Sequence, residues 1–265
     1  EESKTTLRVN TLKISKEELM LENPELIASD IYDGAVFISG IDVATSNMYK
    51  KGYVYPQDIS AMIASLILNP KSGEKVLDMC ASPGGKSTHM AQLMENKGEI
   101  LACDVHEHKL KLIEQNAKRL GIDIIKAVCM DSTKENPDFY DKFDKVLCDV
   151  PCTGWGIISK KPDIKWKNDK YEDIITISKD ILTNASKYVT IGGEIVFSTC
   201  TINKEENEES FIRFLENNEN FSAVDISSFL PDGLKKETAK DGYVTFYPNV
   251  DGIDGFFIAK AKRCR

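Results

Sequence analysis

The chain has 265 residues, 42% of them hydrophobic and 29% charged, with a net charge of −8. That length suits one large domain, or one domain with a small appendage, and no apolar run nears the roughly 20 residues of a membrane helix. The acidic balance excludes nucleic-acid binding by bulk charge, so such a role needs a local basic patch or a further domain.

In chain order, residues 1–54 stand apart. LRVNTL (7–12) and GAVFIS (34–39) read as short strands around a short polar helix, a small α/β appendage. From 55 to 265 the pattern alternates. KVLDMCAS (75–82) is an apolar run that ends in small residues and PGG, as a buried strand entering a tight turn does. GKSTHMAQLMEN continues it as a helix with Met90, Leu93 and Met94 at helical spacing. EILACD (99–104) is a second strand ending in an acid, followed by a helix with Leu110, Ile113, Ala117 and Leu120 on one face and Gly121 as its stop. IIKAVCMD (124–131) and FDKVLCDVP (143–151) are the third and fourth strands, 170–190 a helix, EIVFSTCT (194–201) the fifth strand and 205–217 a helix. YVTFYP (243–248) and GFFIAKAK (255–262) close the chain as a hairpin. Strand–helix repetition predicts a doubly wound α/β sheet, mostly parallel, with an antiparallel C-terminal hairpin at one edge.

Ligands of such a sheet bind at the carboxyl ends of its strands. Those ends carry residues 80–86, Asp104, Asp131, 149–152 and 199–201. CASPGGKST (80–88) resembles the end of a phosphate-binding loop, but Cys80 stands where that loop needs its first glycine. What remains is a strand, a glycine turn and a helix N-terminus with backbone N–H groups exposed. On its own this also fits a plain structural turn. Asp104, about 20 residues beyond the glycines, is placed to hold ribose hydroxyls, and Asp131 can accept from an adenine amino group. Without a phosphate signature, the nucleoside ligand that fits is S-adenosyl-L-methionine.

Seven cysteines, several in apolar runs, are no disulfide framework and predict a reducing, cytoplasmic setting. Cys103, Cys129 and Cys148 are expected in the core as small hydrophobes. No C-x-x-C occurs and the three histidines fall on helices or their starts, so no metal site is expected. Cys152, in DVPCTG, and Cys200, in STCT, differ: both sit at the ends of central strands. Two thiols converging beside a cofactor suggest covalent chemistry. Carbon 5 of a pyrimidine takes a methyl group only after a thiolate adds at carbon 6, with an acid such as Asp149 near N3.

DMCASPGGKST, Asp104, Asp131, DVPCTG and STCT together resemble, in order and spacing, the Sun/Fmu (RsmB-type) RNA cytosine carbon-5 methyltransferases, over nearly the whole chain. RVNTLK (8–13), GYVYPQDISAMI (52–63), GIISKKPDIKW (156–166) and DGFFIAK (254–260) extend the resemblance toward the bacterial ribosomal-RNA branch. It implies a Rossmann-like methyltransferase sheet. Cys80, Ala81, Ser82, Pro83, Gly84, Gly85 and Lys86 would form the cofactor loop, Asp104 would hold the ribose and Asp131 the adenine. Asp149 would face cofactor and base, Cys200 would be the nucleophile, Cys152 would help release product, and Lys86 would stand near the target base. The implied substrate is small-subunit ribosomal RNA, with transfer RNA as the alternative and a non-catalytic RNA-assembly factor as the non-enzyme option. Bacterial members carry an N-terminal domain resembling NusB. The chain opens on Glu1 without it, and with no signal-peptide pattern, so it is expected to be a fragment, acting as a monomer and not on membranes. RNA contact is then expected in 155–171, where Trp155, Trp166 and Tyr171 interleave with Lys160, Lys161, Lys165, Lys167 and Lys170. Lysines there can track phosphates and an aromatic can stack on an unstacked or single-stranded base, or the segment is a solvated lysine face.

Overall fold

The computed structural model describes residues 4–166 and 171–265. The N-terminal segment forms β1 (Thr5–Val9), α1 (Lys16–Glu22), β2 (Ile27–Ala28), β3 (Ala35–Ile38), α2 (Asn47–Lys50) and β4 (Val54–Pro56). The strands make an antiparallel sheet in the order β2-β3-β1-β4. Alternation decides its faces: Leu7 and Val9 pack with Leu19, Val36, Ile38 and Val54, while Arg8 between them points the other way. β1 stops at Val9 rather than continuing to residue 12. The Asn10 side chain donates to the carbonyls of Gly52 and Leu120 and draws the chain out of the sheet.

α3 (Ile59–Leu68) follows, with Asp58 as its N-cap accepting from Ser60 N–H. The second unit then runs β5 (Lys75–Asp78), α4 (Gly85–Leu93), β6 (Glu99–Asp104), α5 (Glu107–Leu120), β7 (Ile125–Cys129), β8 (Phe143–Asp149), α6 (Tyr171–Tyr188), β9 (Val189–Thr199), α7 (Glu208–Asn217), β10 (Phe221–Ala223), β11 (Tyr243–Phe246), α8 (Pro248–Asp251) and β12 (Phe256–Arg263). The sheet order is β10-β12-β9-β8-β5-β6-β7, with β11 also paired to β12. β5 to β9 are parallel, and β12 pairs antiparallel with both β9 and β11. The expected doubly wound sheet with its closing hairpin is therefore present.

Core residues alternate along the central strands. Val76 and Leu147 pack on the α3 and α4 side with Met62, Ile63 and Met90. Leu77, Val146 and Cys148 pack against Ile181, Leu182 and Phe211 of α6 and α7. Cys103 and Cys148 are buried as expected, but Cys129 is exposed. It closes β7, an edge strand with one flank of the sheet open. Among the described residues no helix is long and apolar enough to cross a membrane.

The chain leaves β5 toward β6 and β7 on one side, and later fills β8 and β9 on the other. The strand order thus reverses between β5 and β8. The crevice at their carboxyl ends is the place where such sheets hold ligands.

Candidate active site

Beyond Asp78, β5 gives way to a tight loop. Met79 N–H donates to Leu147 O at 3.0 Å and Ala81 N–H to Cys103 O at 2.7 Å, fastening the loop to both neighbouring strands. The Ser82–Pro83 peptide is cis, and Gly84 follows with φ +99°, a left-handed conformation that a side chain would strain. α4 starts at Gly85, so its free N–H groups open onto the crevice. The resulting cleft, about 190 Å³, is lined by Tyr55, Gln57, Asp78, the loop residues Cys80, Ala81, Ser82 and Pro83, then Gly85, Lys86 and Asp149. All but one of the expected loop residues line it; Gly84 instead packs its Cα toward Ile113.

Asp104 and Asp131 stand at the next two strand ends, outside that lining. Asp104 accepts from His106 N–H at 2.9 Å. Asp131 lies two residues beyond β7 and accepts from the Thr133 hydroxyl and N–H at 2.6 and 3.1 Å. Those bonds, the hydroxyl first, hold its carboxyl below the usual range.

Lys86 and Asp149 meet across the cleft, Nζ to Oδ2 at 2.7 Å. The other Asp149 oxygen accepts from the Ser198 hydroxyl at 2.8 Å. Burial works against the Lys86 charge, but Asp149 and Asp78 outweigh it and its pKa stands above the ordinary value. A fixed ammonium therefore faces the region where Cys200 lies.

The two singled-out thiols come together, with Cys152 Sγ 3.3 Å from Cys200 Sγ. Their surroundings are unequal. The hydrogen bond from Cys152 lowers the Cys200 thiol, and Lys86 adds to this against burial and Asp149. The same bond raises Cys152, burial and the neighbouring Cys200 charge raise it further, the Gly154 N–H opposes them, and the Glu206 carboxylate adds the smallest push upward. Of the two thiols, Cys200 is the one whose ionisation these surroundings favour. Burial pushes the remaining crevice thiol, Cys80, well up and leaves it inert.

The backbone around the thiols is locked. Gly156 N–H donates to Cys200 O at 3.0 Å, and Gly255 N–H to Gly156 O at 2.9 Å. A Cβ at Gly156 would lie 2.0 Å from Gly255 O and 2.8 Å from Cys200 O, so only glycine permits this approach. Trp155 is 48% exposed beside it. Lys160 is engaged by Asp58 at 3.0 Å and Asp254 at 2.7 Å, which ties the segment to α3 and to the loop before β12. Lys165, Trp166, Lys167, Lys170 and Tyr171 lie outside the residues whose side chains are described.

Three further residues shape the site without having been singled out by the sequence. Asp78 is 1% exposed and accepts from the Ser87 hydroxyl at 2.6 Å; burial lifts its carboxyl from 3.8 to about 7. Its signal was present as an acid inside a buried apolar strand. Arg8 is buried and donates to Gly85 O at 2.7 Å and Thr88 Oγ1 at 2.8 Å, joining the N-terminal sheet to α4. Glu206, between β9 and α7, accepts from Thr153. Nothing in the run KEENEE distinguishes it from its neighbours.

A model of the family described as 16S rRNA methyltransferase RsmB/F matches residues 65–262. The chain belongs to the RsmB/F family. This RsmB/F chain is 38% identical to the probable ribosomal RNA small subunit methyltransferase B of Bacillus subtilis, over 98% of its own length and 60% of that protein. It is 37% identical to the tRNA (cytosine(72)-C(5))-methyltransferase of Pyrococcus horikoshii, over 82% of the chain and 54% of that protein. It thus spans little more than half the length of these relatives. Among solved structures, NSun6 from Pyrococcus horikoshii with SFG superposes with a TM-score of 0.87 at 25% identity, covering 100% of this chain and 91% of that one. A methyltransferase homologue from the same organism gives 0.80 at 29% identity, covering 99% and 87%. The mostly parallel sheet with its closing hairpin is the Rossmann-like methyltransferase architecture of the RsmB/F family.

Proposed function

We propose that the protein methylates carbon 5 of a cytosine in RNA, using S-adenosyl-L-methionine, with Cys200 as the nucleophile. The observation that carries this reading is the Cys152–Cys200 pair at 3.3 Å, in surroundings that raise the Cys152 thiol and lower the Cys200 thiol, the Lys86 ammonium among them.

The cleft suits the cofactor by its donor set. Its lining carries two carboxyl groups, Asp78 and Asp149, and one ammonium, Lys86, already paired with Asp149, so the lining offers a polyphosphate no unpaired cation and leaves Asp78 to answer a cationic ligand. The relative solved with SFG, NSun6, supports the same cofactor class. Residues 80–86 and Asp149 would hold the molecule, with Asp104 on the ribose and Asp131 on the adenine. S-Adenosyl-L-methionine supplies an electrophilic methyl group on a sulfonium.

The side chains then divide the work. The Cys200 thiolate adds to cytosine carbon 6, which makes carbon 5 enamine-like and able to take the methyl group. Asp149, held between Lys86 and Ser198, would face N3; in its protonated form it would donate a hydrogen bond there and stabilise the negative charge that develops as the thiolate adds. After a base removes the carbon 5 proton, the Cys200–carbon 6 bond breaks by elimination and the thiolate returns. Cys152, hydrogen-bonded to the departing sulfur, assists this release. Trp155, exposed in the loop that follows Cys152, would stack on unstacked RNA. Residues 55–265 are the catalytic domain in this reading, and residues 1–54 an appendage that links it to RNA. The free thiols fit a cytoplasmic setting.

The preferred substrate is small-subunit ribosomal RNA, in line with the Bacillus subtilis relative. A transfer-RNA substrate is the second reading, favoured by the Pyrococcus horikoshii relative. Bisulfite mapping of both RNA classes, from cells with and without the protein, separates them. For the mechanism, Cys200→Ala is expected to abolish methyl transfer, and Cys152→Ala to accumulate a covalent RNA adduct on a denaturing gel. An adduct that needs Cys152 and persists without Cys200 would refute the assignment.

A further inference from the structure

Glu206 is 2% exposed, and a carboxylate so deeply buried needs strong partners. Three neutral donors supply them. Thr153 N–H donates to Oε2 at 2.9 Å, and the Thr153 hydroxyl and Asn203 Nδ2 donate to Oε1 at 2.7 and 3.1 Å. Having given its proton to Glu206, the Thr153 hydroxyl accepts from Thr201 Oγ1 at 2.8 Å. Thr153 follows Cys152 in the chain and Thr201 follows Cys200. One carboxylate therefore clamps together the two loops that carry the thiols.

The charges around the pair are arranged unequally. Cys152 has Glu206 on its side, and Cys200 has the Lys86 ammonium together with Asp149. If the Cys152–Cys200 hydrogen bond ran the other way, a thiolate at Cys152 would stand beside a second buried anion, which is costly where dielectric screening is weak. We infer that Glu206 is a positioning residue that assigns the two thiols their roles: its charge keeps the proton on Cys152, and its bonds to Thr153 hold that S–H against the Cys200 thiolate. This rests on the nucleophile assignment proposed above, and it adds the residue that makes the assignment one-way.

The test reads the thiols directly and uses no RNA. Alkylation of Cys152 and Cys200 by iodoacetamide is followed across pH, each peptide quantified by mass spectrometry, in the wild-type chain and in Glu206→Gln and Glu206→Asp. In wild type Cys200 is expected to react at lower pH than Cys152. Glu206→Gln keeps size and an acceptor for Thr153 but removes the charge. The Cys200-to-Cys152 rate ratio near neutral pH should fall about tenfold, the equivalent of about one pH unit. Glu206→Asp keeps the charge and should return the ratio to within about threefold of wild type. An unchanged ratio in a folded Glu206→Gln protein overturns the inference, as does a Glu206→Asp protein that behaves like Glu206→Gln. Methyl transfer by wild type is scored separately: its absence, with the ratio shifting as expected, would sink the cytosine reading and leave the role of Glu206 standing.

Discussion

Replacing Asp78 by Asn should change how stability depends on pH. Asp78 ends β5 within the cleft, and burial lifts its carboxyl from 3.8 to about 7; the Ser87 hydrogen bond pulls down, Asp149 pushes up, and Lys86 opposes Asp149. Because the folded value lies above the unfolded one, folding takes up a proton between them. The stability this group contributes is fully present below about pH 4 and is lost as pH rises through about 7. The interval from 3.8 to about 7 corresponds to about 4 kcal/mol at about 1.4 kcal/mol per pH unit. Local relaxation makes that a ceiling, and about 2 kcal/mol is the working expectation. Asn has nearly the same volume, still accepts from Ser87 and does not ionise. Urea unfolding at about pH 4 and about pH 8 should therefore show Asp78→Asn gaining on wild type by about 2 kcal/mol between the two. A cationic ligand in the cleft favours the carboxylate, so its binding near neutral pH should also release part of a proton. Calorimetry in two buffers of different ionisation enthalpy reads that release, and Asp78→Asn should abolish it. Parallel stability profiles for the two proteins would refute the reasoning, because they would mean that Asp78 is already ionised in the fold.

Two further substitutions test the contacts that surround the cleft. Lys86→Met leaves Asp149 with Ser198 alone and takes the ammonium from Cys200; methyl transfer should fall about a hundredfold or more, and an unchanged rate with labelled cofactor would contradict the role given to the pair. Arg8→Met removes the donors of Gly85 O and Thr88 Oγ1 and strands buried acceptors, which should cost about 2–4 kcal/mol in urea unfolding; a loss below about 1 kcal/mol would show that the N-terminal sheet does not brace α4 through Arg8.

Where the sequence was legible, a local pattern coincided with a buried one. EILACD reads as a strand over 99–104 and is β6 over those residues. A parallel strand covered on both faces is a plain apolar run, here bounded by Gly98 and an acid. α3 shows no helical signature in the sequence, although eight of its ten residues are buried, because a helix apolar on every side has no 3.6-residue period to detect. Cys129 failed for a different reason: its run looks as apolar as its neighbours, and only strand order shows that β7 lies at an edge. In the site, the two cysteines were legible as strand-end residues, but their 3.3 Å approach was not. Glu206 meets Thr153 across 53 residues of chain, and no local pattern encodes such a meeting. Lys160 illustrates the same limit, since a lysine-rich stretch does not reveal that Asp58 and Asp254 already claim one member.

Charge balance at the crevice ties these features into one scheme. Lys86 offsets Asp149 within a 2.7 Å pair. The Cys200 thiolate would add a second negative charge that the single ammonium does not cancel. If Asp78 were also ionised, these side chains would set three anions against one cation in a weakly screened setting. Raising Asp78 to about 7 relieves this, and the proton left on Cys152 prevents a fourth anion beside Glu206. A bound sulfonium would supply the missing positive charge, and Asp78 would then ionise at little cost. On the proposed function, a cationic cofactor held by Asp78 and Asp149 would do more than supply the methyl group, because its charge would let the acid end of β5 and a Cys200 thiolate be negative together. Asp78→Asn should accordingly leave Cys200 more readily ionised without cofactor and narrow the difference that cofactor makes, a shift the alkylation measurement described for Glu206 can read at Cys200 alone.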